Sequence, residues 1–124
     1  MTTTPRGEVL VVEDDGVVAD LLADMLEAIG YADVRHAATV DEALEQIERS
    51  PPKIAILDVN LRGAPAHPVA TRLKALKIPF VVATGFDPKK LPTSFSGAVV
   101  LRKPFHRQDL EKAILQVQQA PHGG

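Results

Sequence analysis

Five short apolar runs, each followed by a longer polar or helix-patterned segment, restrict this chain to a layered α/β architecture. The runs are 8–12 (EVLVV), 33–37 (DVRHA), 54–57 (IAIL), 80–83 (FVVA) and 98–101 (AVVL). Three of them are continuously apolar and rich in Val or Ile, the pattern of strands buried on both faces under helices. The second run alternates and carries charge, as an edge strand does. Between the runs, residues 17–29 put Val17, Val18, Leu21, Leu22, Met25 and Ile29 on one broad helical face, and Gly30 stands where a helix end takes a left-handed residue. Thr39 and Glu42 form a capping-box signature ahead of Ala43, Leu44 and Ile47, and Ser50-Pro51-Pro52 ends that helix. Further helices are expected over 68–77, opened by Pro68, and over 108–119, with Leu110, Ile114 and Val117 inward. Residues 87–97 (DPKKLPTSFSG) have no helical period and read as a loop with at most one turn of helix. Repeated strand–helix units join by right-handed crossovers into a parallel sheet, whose ligands bind at the carboxyl ends of the strands.

Composition closes off several functions. The 124 residues correspond to one domain, and 45% hydrophobic content is enough to build a core. Fourteen Lys plus Arg against 16 Asp plus Glu leave a formal charge of −2, without the basic surplus of a nucleic-acid binder. Aromatic content of 4% with no Trp gives no base-stacking platform. The absence of Cys excludes disulfides, thiolate metal sites and a cysteine nucleophile. No apolar run approaches the roughly 18 residues of a membrane span, and MTTTPRG lacks a signal-peptide core, so a cytoplasmic domain is expected.

The chemistry stands at the ends of the runs. EVLVV is followed by Glu13, Asp14 and Asp15, IAIL by Asp58, FVVA by Thr84 and Gly85, and AVVL by Arg102, Lys103 and Pro104. In a parallel sheet these ends share one rim. Crowded carboxylates repel one another and attract a cation, and all-oxygen ligation suits Mg²⁺. A carboxylate that attacks phosphorus forms an aspartyl-phosphate, with a metal, a Lys and a hydroxyl to balance charge on the phosphoryl oxygens. Asp58, Lys103 and Thr84 match those needs, with Glu13 and Asp14 at the metal.

Each residue alone has a plainer reading. Asp14 or Asp15 is equally an N-cap for the helix at Val17, a strand-end Lys is usually solvated, and Thr84-Gly85 is a common turn. The specificity lies in the joint pattern across four runs. His36, His67, His106 and His122 show no metal spacing and read as surface or packing residues; the serines lack a nucleophile elbow, and no Gly-rich phosphate loop is present.

Glu13-Asp14, the LDVNL stretch around Asp58, Thr84 and Lys103-Pro104 together resemble the receiver domain of two-component response regulators, across essentially the whole chain. The resemblance implies a flavodoxin-like doubly wound five-stranded parallel sheet in order 2-1-3-4-5, here with an irregular or short fourth helix. It implies that Asp58 accepts a phosphoryl group from a histidine kinase or phosphotransfer protein. It also implies that Asp14, Asp58 and the Asn60 backbone carbonyl ligate Mg²⁺, that Glu13 acts largely through water, that Thr84 and Lys103 contact the phosphoryl oxygens, and that Lys103-Pro104 is cis. The family often carries an aromatic switch residue three positions before the Lys; here it is Val100, so the 84–97 loop is expected to carry the switch. The stretch PFVVATGF resembles a subgroup with an FATG-like motif, found in alphaproteobacteria near unorthodox histidine kinases, although Val82 replaces its Phe.

The residues after Lys103 only complete a helix, so a stand-alone receiver is expected, a monomer or weak homodimer, which signals through a downstream protein or serves as phosphate shuttle or sink. It is not expected to be an enzyme beyond handling its own phosphoryl group, nor to bind nucleic acid or membrane. A haloacid-dehalogenase-like phosphatase also uses Asp, Thr and Lys, but needs an acid two residues after the nucleophile, where this chain has Asn60. A degenerate scaffold would not need the complete acid, Thr and Lys set.

Overall fold

The computed structural model describes residues 8–61, 64–85, 91, 95 and 98–119. Strands β1 (Glu8–Val12), β2 (Asp33–Ala37), β3 (Ile54–Asp58), β6 (Phe80–Thr84) and β7 (Val99–Arg102) form one sheet in the order β2-β1-β3-β6-β7, and all its pairings are parallel. Leaving out the two-residue strands β4 (Asn60–Leu61) and β5 (Ala64–Pro65), this is the expected 2-1-3-4-5 order, with DVRHA at an edge. Helices α1 (Gly16–Ile29), α2 (Val40–Arg49), α3 (His67–Ala75) and α4 (Arg107–Gln119) cover both faces.

The period-two geometry of each strand divides its side chains between two cores. Leu10, Val12, Leu57 and Val82 pack with Ala43 and Ile47 of α2 and with Val69, Ala70 and Leu73 of α3. Val9, Val11, Ile56 and Val81 pack with Ala19, Leu22 and Leu26 of α1 and with Leu110, Ala113 and Ile114 of α4. Each such Val, Leu or Ile is worth about 1.5–3 kcal/mol when fully buried. The inner strands therefore anchor the sheet, and their ends form a firm base for a site.

Local chemistry sets the helix ends. The Asp15 carboxylate accepts from the N–H groups of Val17 and Val18 and caps α1, and Gly30 closes it at φ 124°. Thr39 Oγ1 accepts from the Glu42 N–H at 3.1 Å, while the Glu42 carboxylate reaches back to the N–H of Ala38 rather than that of Thr39. α3 stops at Ala75, two residues short of the expected end, because Lys77 turns left-handed at φ 60° and the Ile78 N–H donates to the Leu73 carbonyl. Arg72 of α3 forks onto Glu48 of α2, and this hydrogen bonding holds the Glu48 carboxyl below its usual range.

The structure departs from the sequence reading at two places. Val17 and Leu21, placed with Leu22, Met25 and Ile29 on one broad apolar face of α1, are 71% and 54% exposed. The buried spine runs Ala19–Leu22–Leu26. The antiparallel pair β4–β5 was not foreseen, since two-residue strands leave no periodic signal. Most of the 87–97 segment, and with it the expected irregular fourth helix and switch loop, lies outside the described residues; Phe95 within it is buried in the α2–α3 core.

Candidate functional site

The register of the sheet brings the strand ends together. Val12 pairs with Leu57, Asp58 with Ala83, and Thr84 with Arg102. The residues that follow β1 and β7, and those that end β3 and β6, therefore meet on one rim. Glu13 and Thr84 are buried there, and Asp14, Asp58 and Lys103 are half-buried.

Carboxylate oxygens of Glu13, Asp14 and Asp58 lie within 4.8 Å of one another. Lys103 Nζ donates to Glu13 Oε1 at 3.0 Å and lies 3.8 Å from Asp58 Oδ1. The other Glu13 oxygen accepts from the Asp15 N–H at 3.2 Å. Three carboxylates and one ammonium leave a formal local charge of −3 + 1 = −2. Like charges about 4 Å apart repel by roughly 4 kcal/mol near a protein surface. A divalent cation with a preference for hard oxygen ligands relieves that repulsion, so the donor set fits such an ion. Among the described residues this is the one cluster of acids or histidines able to hold a metal.

Backbone contacts hold the rim in register. The Lys103 N–H donates to the Thr84 carbonyl at 2.8 Å, and the Lys103–Pro104 peptide is cis, as the resemblance implied. The N-cap ambiguity is settled by Asp15, whose carboxylate supplies the cap. Asn60 enters β4 directly beyond the site and pairs with Pro65. The structure thus brings Glu13, Asp14, Asp58 and Lys103 together in space, and sets Thr84 and Asn60 on the elements beside them.

Two features escaped the sequence. The Glu13 carboxylate is tied directly to Lys103, a partner ninety positions away. His36, read as a surface or packing residue, reaches the Glu13 carbonyl with Nε2 at 2.6 Å. Its signal was positional: it is the penultimate residue of the run beside β1.

Comparison with known proteins agrees with this geometry. The family of response regulator receiver domains matches residues 9–115. PdtaR of Mycobacterium tuberculosis, described as a transcriptional regulatory protein, is 35% identical over 114 residues, covering 89% of this chain and 55% of that one. The solution structure of SdrG from Sphingomonas melonis Fr1 has a TM-score of 0.80 at 38% identity, covering 95% of this chain and 99% of the other. The response regulator PhyR from Brucella abortus has a TM-score of 0.78 at 27% identity, covering 90% of this chain and 47% of the other. The chain spans about half the length of the curated relatives it matches. It belongs to the response regulator receiver domain family. Receivers are signalling domains, and among the described residues no helix is long and apolar enough to cross a membrane.

Proposed function

We propose that this chain is a phosphoacceptor, with residues 8–119 as the core of one receiver domain. An oxygen of Asp58 attacks the phosphorus of a phosphohistidine on a sensor kinase or phosphotransfer protein. The O–P bond forms as the P–N bond breaks, and the donor imidazole keeps the electron pair. The observation that carries this reading is the convergence of Glu13, Asp14 and Asp58 within 4.8 Å, beside the ammonium of Lys103.

The roles follow from charge. Asp14, Asp58 and the Asn60 backbone carbonyl would hold Mg²⁺, with Glu13 acting largely through water. When bound, such an ion would supply positive charge for the phosphoryl oxygens. Lys103 supplies a mobile positive charge for those oxygens, and the Thr84 hydroxyl a hydrogen-bond donor. The phosphorylated form then acts on a downstream protein in the cytoplasm, or passes its phosphoryl group onward.

Stoichiometry tests this reading. With Mg²⁺ and acetyl phosphate, intact-protein mass spectra are expected to show a single added phosphoryl group that hydroxylamine removes, as it does from acyl phosphates. Continuous hydrolysis of phosphate esters without a trapped species would instead indicate a phosphatase, and no uptake at all a scaffold.

A further inference from the structure

The edge strand β2 contributes no acid to the site, yet it holds the main chain that carries the acid pair. The Glu13 N–H donates to the Ala37 carbonyl at 3.0 Å, continuing the β1–β2 ladder one residue beyond β1. The Glu13 carbonyl, on the other side of the same residue, meets His36 Nε2 at 2.6 Å. A carbonyl oxygen only accepts, so Nε2 carries the proton and donates it. That carbonyl belongs to the peptide that links Glu13 to Asp14, and its orientation sets where the Asp14 carboxylate starts from. His36 is itself held from behind: the Gln46 side-chain amide of α2 donates to the His36 carbonyl at 2.8 Å. A relay therefore runs from α2 through β2 to the loop that bears Glu13 and Asp14. His36 is an exposed residue, so burial in the core does not account for its placement.

We propose that His36 is a positioning residue for the metal site, fixing the Glu13–Asp14 peptide so that the two acids face Asp58. The inference rests on the phosphoacceptor reading and adds to it a residue that touches neither the metal nor the phosphoryl group. Groups that orient ligands from behind tune metal affinity more than overall stability.

The test measures Mg²⁺ affinity by calorimetry, and phosphorylation by acetyl phosphate as a function of Mg²⁺, in wild type, His36→Ala and His36→Gln. Gln places an amide N–H near the position of Nε2. His36→Ala is expected to raise the Mg²⁺ dissociation constant about threefold to tenfold, the weight of one hydrogen bond. Its phosphorylation rate should return to the wild-type value at saturating Mg²⁺, and His36→Gln should recover most of the lost affinity. An Ala variant that binds Mg²⁺ as wild type does, a Gln variant as weak as Ala, a rate deficit that persists at saturation, or an Ala chain that does not fold would each overturn the proposal. If wild type itself neither binds Mg²⁺ nor takes up phosphoryl, the phosphoacceptor reading has failed first.

Discussion

Asp58→Asn is expected to abolish phosphoryl uptake from acetyl phosphate and, in the absence of metal, to leave the domain more stable than wild type. The two effects have one cause. Asn has the shape of Asp but lacks the nucleophilic carboxylate, so no O–P bond forms. The same change removes one charge from a cluster in which Asp58 lies among two like charges, with the half-buried Lys103 at 3.8 Å. The net relief is of the order of one partly screened charge pair, about 1 kcal/mol. In a domain of this size that raises Tm by about 4 °C. Mg²⁺ affinity should fall together with the lost ligand. Thermal melts without Mg²⁺ and mass spectra after acetyl phosphate treatment check both effects. A less stable variant would mean that the acids are not mutually repelled, and a phosphorylated one would move the acceptor elsewhere.

Lys103→Ala should act in the opposite sense on stability. Glu13 is 2% exposed, and its carboxylate depends on the Lys103 ammonium at 3.0 Å. Removing one partner of a buried pair strands the other at a cost of several kcal/mol. Because Lys103 is itself partly exposed and the Asp15 N–H still donates to Glu13, a loss of about 2–3 kcal/mol is expected, less than for a fully buried pair. The local charge moves from −2 to −3, so Mg²⁺ should bind and should raise Tm by more than it does in wild type. Phosphorylation-linked amide shifts should disappear, because the charge that answers the phosphoryl oxygens is gone. An unchanged Tm, weakened metal binding, or a wild-type response to beryllofluoride would each contradict the assigned role.

Much of this was legible in the sequence because the inner strands announce themselves. IAIL and FVVA are apolar throughout, and the polar residue that ends each run marks the carboxyl rim. Asp14, Asp58 and Lys103 stand out as a set for that reason. The strand order followed from the resemblance rather than from periodicity, and the sheet has that order. What stayed hidden depends on three-dimensional detail. The apolar positions Val17 and Leu21 fit a helical stripe equally well inside or outside, and they face solvent. The end of α3 turns on a left-handed Lys77, a conformation that a lysine does not advertise. The Glu13–Lys103 pair and the His36 contact join residues whose separation along the chain, ninety and twenty-three positions, carries no local pattern. The two-residue strands β4 and β5 are too short to alternate.

The most direct measurement is a paramagnetic map with Mn²⁺ in place of Mg²⁺, read as amide line broadening in the metal-titrated protein. Broadening strongest at residues 13–15 and 58–60, weaker at 84 and 103, and lost in Asp14→Asn, is the expected result. Broadening centred anywhere else, or unchanged in that variant, would show that the ends of β1 and β3 do not form the cation site.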